Sequence, residues 1–191
     1  MMTPHPFDQV RRWHVLAGIV MRFGLRRFVE VGCKNGQTTA FLLAAEPELT
    51  AITIDPWQSF PEHAGRVGGE TYEAWEFDAI EREYQQHMAP FGDRVTHYRQ
   101  TSQAAAQEVP NESRDLVFID AAHDYENVKH DIKLWLPTLR RGGVLAGHDY
   151  QHRFPGVMQA VAESFCLFDV GVSADSVWWV QVDRGEARRA A

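Results

Sequence analysis

The sequence predicts a single α/β domain with helices wound on both faces of a mostly parallel sheet. Two observations predict it. Short apolar runs of strand type alternate with helix-spaced stripes almost throughout, which requires a parallel sheet covered on both sides. Polar and glycine residues stand directly after those runs, at the carboxyl ends of the expected strands, where such sheets bind ligands. A length of 191 residues favours one domain with a core of its own.

The elements follow in order. Val10, Trp13, Ala17, Val20 and Met21 recur at helical spacing and Gly24 follows as a stop. Residues 1–24 are therefore expected as an N-terminal helix packed on a domain spanning 25–183. Arg27–Val31 is the first strand, Gly32 and Gly36 mark its turn, and Gln37–Ala45 is the next helix. Thr50–Ile54 is a second strand ending at Asp55. Residues 56–69, with two prolines and three glycines and no period, read as a functional loop. Tyr72, Trp75, Ala79, Ile80, Glu83 and Met88 mark a long amphipathic helix; Arg94–Tyr98 is a third strand, with a short helix after Thr101. Leu116–Ile119 is a fourth strand. The stripe Tyr125, Val128, Ile132, Trp135, Leu139 predicts a helix capped by Asp124 and stopped by Gly142–Gly143. Val144–Ala146 is the fifth strand and Val157–Phe165 a helix. Cys166–Val170 and Val177–Val182 are expected as a closing antiparallel pair, with 184–191 a flexible tail.

Composition narrows the class. With 45% hydrophobic and 24% charged residues, the chain resembles an ordinary soluble protein. A net charge of -7 argues against nucleic acid or an anionic membrane as partner. Arg11, Arg12, Arg22, Arg26 and Arg27 read as solvated helix-face charges. Two cysteines suit a reducing compartment, no run is long enough to span a membrane, and Pro4, Pro6 and Asp8 interrupt any signal-like segment. A cytoplasmic location is expected. The opening helix and Trp178–Trp179, expected on the surface, are where a homo-oligomer would form.

Three constellations carry the chemistry. In Glu30-Val31-Gly32-Cys33-Lys34-Asn35-Gly36, glycines at a strand-to-helix turn let backbone approach a ligand, and the helix start offers free N–H groups. The stretch fits neither the three-glycine dinucleotide fingerprint nor a phosphate loop, and the Glu30 carboxylate disfavours pyrophosphate. Asp55, 23 residues after Gly32, stands where a carboxylate accepts ribose hydroxyls. The third is Asp120 through Tyr125 with Gly147-His148-Asp149-Tyr150. Strands about 4.8 Å apart would bring Asp120, His148 and Asp149 to one edge as a divalent-cation site. The plainer alternative makes Asp120 and Asp124 helix caps and leaves His148 and Asp149 in a solvated loop. His123, three residues past Asp120, suits proton removal from a metal-polarised hydroxyl. His87 and His130 lie on helices, and His63 on the glycine-rich loop.

Together these motifs resemble class I S-adenosylmethionine-dependent methyltransferases, and more closely their metal-dependent small-molecule O-methyltransferase branch. The resemblance runs from Arg26 to Val182 and is strongest in Ile54-Asp55-Pro56-Trp57, His63-Ala64-Gly65 and Phe118–Tyr150. It implies a Rossmann-like sheet of seven strands with the last antiparallel. It implies that Glu30 and Gly32 line the methionine half of S-adenosylmethionine, that Asn35 and Gly36 also belong to the cofactor site, that Asp55 binds the ribose beside Trp57, and that Thr101-Ser102-Gln103 follows the adenine. Asp120, which also borders the cofactor, would hold Mg²⁺ with His148 and Asp149, and His123 would be the base. The branch often has an acidic residue where His148 stands, which opens the site to Mn²⁺ or Fe²⁺; its base is often Lys, and Lys34 replaces a common Gly.

The expected reaction moves the sulfonium methyl to a hydroxyl of a small molecule: a sugar, a phenol or catechol, or another natural product. Residues 56–69 would act as a lid, with Trp57, Phe60 and Tyr150 shaping the acceptor pocket. The alternatives are a methyltransferase acting on RNA or protein, a non-catalytic protein binding S-adenosylmethionine or metal, and a metallohydrolase using Asp120, His123, His148 and Asp149.

Overall fold

The computed structural model describes residues 9–58 and 73–182. Its strands are β1 (Arg27–Val31), β2 (Thr50–Ile54), β3 (Val95–Tyr98), β4 (Arg114–Ile119), β5 (Leu139–Gly147), β6 (Gly171–Val172) and β7 (Trp178–Gln181). They form one sheet in the order β3-β2-β1-β4-β5-β7-β6, with β1 to β5 parallel and β7 antiparallel to both of its neighbours. The order reverses between β1 and β4, the switch point at which sheets of this kind open a ligand crevice.

The helices are α1 (Arg12–Phe23), α2 (Gln37–Ala45), α3 (Ala74–Met88), α4 (Ser102–Glu108), α5 (Tyr125–Trp135) and α6 (Pro155–Ser164). Side chains alternate along a strand, so each face draws its own core. Val29, Val31, Val117, Ile119 and Leu145 pack with Ala105, Val128, Ile132, Trp135 and Val161 of α4, α5 and α6. Phe28, Ala51, Leu116, Phe118, Val144 and Ala146 pack with Leu16, Ile19, Val20, Leu42 and Leu43 of α1 and α2. Glu30 lies two residues from Phe28 in β1, so its carboxylate is buried on the α1–α2 side.

The amino edge of the sheet is tied by charge. Asp115, buried at the start of β4, accepts from the backbone N–H of Arg26 (2.9 Å) and Arg27 (2.8 Å). It also accepts from the guanidinium groups of Arg27 (2.7 Å) and Arg140 (2.5 Å). Burial would raise its pKa, but these bonds hold it well below the ordinary carboxylate range. Arg27 is therefore a structural partner rather than the solvated charge expected, and it does not lie on a helix.

Several expectations are corrected. The α5 stripe stops at Trp135 because Pro137 cannot extend it; a 3₁₀ turn, Leu136–Thr138, follows. Gly142 and Gly143 consequently lie inside β5, with Gly142 at φ 75°, and do not terminate a helix. Leu167–Asp169 is another 3₁₀ turn, so Cys166–Val170 is not a strand and the short β6 follows it. Trp178 is buried, because its indole lies under Gly147, where a Cβ would come within 2.5 Å of the ring. Trp178 is thus no part of an exposed surface. The Gly24 stop of α1 matches expectation, but the helix begins at Arg12 and is buried through Leu16, Ile19 and Val20, while Met21 of the expected stripe is 69% exposed. Residues 59–69, with Phe60 and His63, together with Tyr72 and the 184–191 tail, lie outside the described residues. Among those described, no helix is long and apolar enough to cross a membrane.

Two predictions follow from packing. Gly32 has φ 85°, and a Cβ there would come within 2.7 Å of Ala121 Cα. Gly32→Ala should lower stability by about 2–4 kcal/mol in denaturant melts, since backbone cannot yield as a side-chain tip can. Asp131 is buried in α5 and receives the Ser102 hydroxyl at 2.5 Å. Burial pushes its pKa from 3.8 up to about 6. The unfolded chain therefore releases this proton before the folded one does, and stability is lost as pH rises through that window. Asp131→Asn should match wild type near pH 4 and exceed it by on the order of 3 kcal/mol above pH 7. A gap independent of pH would show that the carboxylate charge is not its source.

Candidate active site

The ladders run one residue past each strand and level the site. Gly32 N donates to Ile54 O (2.8 Å), Asp120 N to Val31 O (2.8 Å) and His148 N to Ile119 O (3.1 Å). Gly32, Asp55, Asp120 and His148 therefore leave the sheet side by side along its carboxyl rim.

At the β1 turn, Gly36 has φ 77° and Lys34 φ 48°. Glu30 receives the Thr39 hydroxyl at 2.5 Å, and burial, with Asp120 nearby, pushes its pKa up to about 8 despite that bond. The two glycines accommodate the chain's own atoms. Gly32 abuts the backbone of Asp120 and Ala121, and Gly36 abuts Tyr84 and Met88. Asn35 is engaged with α3, donating to Glu83 at 3.0 Å while its carbonyl meets His87 Nδ1 at 2.7 Å.

Asp55 is oriented by backbone. One oxygen accepts Lys34 N (2.8 Å) and the other Trp57 N (2.9 Å). Each oxygen retains a second lone pair for a ligand hydroxyl. Trp57 is 3% exposed, packs on Tyr84 and His97, and donates its indole N–H to Lys34 O at 3.0 Å. It is core beneath the rim, not lining of an acceptor pocket. Thr101 caps α4 through Ala104 N, while Ser102 donates to Asp131 and accepts the Trp135 indole N–H at 2.8 Å. Ser102 thus engages α5, which its place after β3 could not reveal.

At the rim of β4 and β5 the donor atoms that converge within 4.8 Å belong to Asp120, His123 and Asp149. His123 Nε2 lies 2.7 Å from Asp149 Oδ2 and 4.0 Å from Asp120 Oδ1. His148 Nδ1 stands 3.3 Å and 3.6 Å from the same two oxygens, and its Nε2 is 3.7 Å from Asp175. Burial raises the Asp120 pKa against the pull of Arg12 and both imidazoles. Burial acts on Asp149 too, but its hydrogen bonds with His123 and His148 hold that carboxyl well below its usual range. The same carboxylates outweigh desolvation at His148 and raise it. Asp124 caps α5 by accepting Asn127 N, as expected, and so fixes the loop that carries His123. The solvated-loop alternative for His148 and Asp149 fails, since Asp149 is 8% exposed.

Sequence reasoning missed three contributors. Arg12 is not a free surface charge: its guanidinium, partly exposed, lies 3.2 Å from Asp120 Oδ2. Asp175, in the turn between β6 and β7, accepts Arg12 N at 2.7 Å. Gly156 lets α6 approach the His123 loop, where a Cβ would meet Tyr125 N at 2.5 Å. No spacing signal links Arg12 or Asp175 to Asp120; a glycine in the first turn of a helix is the only hint of the third.

The architecture is shared with known proteins. A 174-residue stretch is 30% identical to the uncharacterized protein y4gI of Sinorhizobium fredii, covering 85% of this chain and 18% of that protein. The chain thus spans less than a fifth of that curated relative's length. An O-methyltransferase from Bacillus cereus, solved in complex with SAH, aligns with a TM-score of 0.60 at 17% identity, covering 94% of this chain and 83% of that one. The O-methyltransferase TomG from Streptomyces achromogenes, involved in tomaymycin synthesis and solved with SAM, gives 0.63 at 15% identity, covering 90% and 79%. At these identities the likeness is one of fold. The model of a family described as a methyltransferase domain matches residues 29–150, from β1 through the rim of β5. The seven-stranded sheet with its reversed β7 and this match over most of the chain lead to one conclusion: the chain belongs to the methyltransferase-domain family.

Proposed function

We propose that this protein is an S-adenosylmethionine-dependent O-methyltransferase acting on a hydroxyl of a small molecule, with a divalent cation beside the transfer site. The observation that carries this reading is the levelled rim, where Asp55 and Gly32 leave the sheet beside Asp120 and Asp149. A nucleoside cofactor at the first pair would lie next to a polarised acceptor at the second.

The residues present fit both groups. The Asp55 carboxylate, oriented by two backbone N–H groups, keeps lone pairs for ribose hydroxyls. Two carboxylates and an imidazole, with donor atoms within 4.8 Å of one another, form a donor set suited to Mg²⁺ or Mn²⁺. When bound, S-adenosylmethionine supplies an electrophilic methyl group and the cation lowers the acceptor hydroxyl's pKa.

The structure supports exchanging the roles expected for the two histidines. His123 belongs to the convergent set, and an imidazole whose lone pair is engaged by a cation cannot also take a proton. Asp120, His123 and Asp149 would hold the ion, leaving His148 to accept the hydroxyl proton. Its basicity is raised by Asp149 and Asp120, and Asp175 faces its far nitrogen. Buried Phe154 stacks on His123 at 4.8 Å between ring centres and limits its rotation.

The test is methyl transfer from labelled S-adenosylmethionine to a panel of sugars, catechols and polyketide hydroxyls, with and without EDTA. Asp120→Asn and Asp149→Asn should each lower metal-dependent turnover at least about 100-fold. SAH affinity, measured by calorimetry, should stay within several-fold for Asp149→Asn. Normal turnover by either variant in EDTA would remove the metal from the reaction. His123→Ala should weaken Mn²⁺ binding, whereas His148→Ala should keep Mn²⁺ and lose turnover; the opposite pattern would restore the assignment expected from sequence.

A further inference from the structure

We infer that Arg12 sets the cation affinity of this site by pairing with Asp120 itself, so that its guanidinium opposes an entering ion. The inference rests on the cation reading above and goes beyond it, because it concerns a residue of α1 far from the ligating segments in sequence.

Arg12 is held in place from several sides. Its Nε lies 3.2 Å from Asp120 Oδ2 and 3.1 Å from Thr38 Oγ1, and its backbone N–H donates to Asp175 Oδ2 at 2.7 Å. Asp175 in turn faces His148 Nε2 at 3.7 Å. One positive charge thus stands on one of the two carboxylates that a divalent ion needs. The guanidinium rests on Oδ2 while the imidazoles face Oδ1, so a cation at Oδ1 would share one carboxylate with Arg12, and their mutual repulsion in a poorly hydrated site opposes its binding. The helix does not depend on the guanidinium for its seat. The α1 helix is anchored by Leu16, Ile19 and Val20 in the core, and its first turn by the Asp175 contact to backbone. The guanidinium can swing outward while the helix stays seated.

The roles of charge and shape are separable. Arg12→Gln and Arg12→Met both remove the charge, the first keeping a polar end and the second the aliphatic stem. Arg12→Lys keeps the charge. Mn²⁺ binding is read directly from the free-ion paramagnetic resonance signal, without substrate or turnover, after melting curves establish that each variant is folded. Both neutral variants should bind Mn²⁺ at least about tenfold more tightly than wild type, and Arg12→Lys should stay within about threefold. Equal or weaker binding by the folded neutral variants, with wild type binding normally, would overturn the role of Arg12 and leave the cation site standing. Absence of Mn²⁺ binding in every protein would overturn the site and this inference together.

Discussion

The hydrogen bond from Asp120 N to Val31 O, across the switch point of the sheet, is the contact on which the candidate site depends. It fixes where β4 ends relative to β1. Once that register is set, Asp120 must emerge beside Gly32, and the matching bond from His148 N to Ile119 O brings β5 to the same level. A slip of one residue would turn each of these side chains to the opposite face. The close seat of Gly32 against Ala121 allows no such slip, because the two backbones already touch.

The two edges of the sheet treat buried charge differently. At the amino edge every oxygen of Asp115 is paired with arginine or backbone, and its charge is stabilised. At the carboxyl rim Asp120 and Glu30 have raised pKa values because burial outruns their partners. Asp149 beside them is held low by His123 and His148, so the unfavourable burial at the rim falls on Asp120 and Glu30.

Most of the fold was legible in the sequence because it depends on period and punctuation. The strands at Arg27–Val31 and Thr50–Ile54, the Gly24 stop and the Asp124 cap are local signals, and the structure matches them. Where reading failed, a second local rule competed with the first. Leu139 continues the α5 stripe by spacing, but Pro137 breaks the backbone before it. Trp178 lies in a terminal apolar run that looked exposed, yet Gly147 opposite leaves room for its indole. In the site, the residues just after strands were legible because the topology carries them to one rim. Arg12 and Asp175 were not. Their places follow from tertiary docking of α1 and of the last hairpin, which leaves no periodic trace.

That hairpin has a wider consequence. Asp175 and Ser176 both adopt left-handed backbone, with φ 54° and 52°, in the tight connection between β6 and β7. Such a turn at the margin of a domain would ordinarily tolerate lengthening. Here Asp175 holds the opening of α1, and Ser176 O receives Tyr150 N at 3.0 Å, next to Asp149. A change in the length of this remote bend would therefore shift both the start of α1 and the segment next to Asp149.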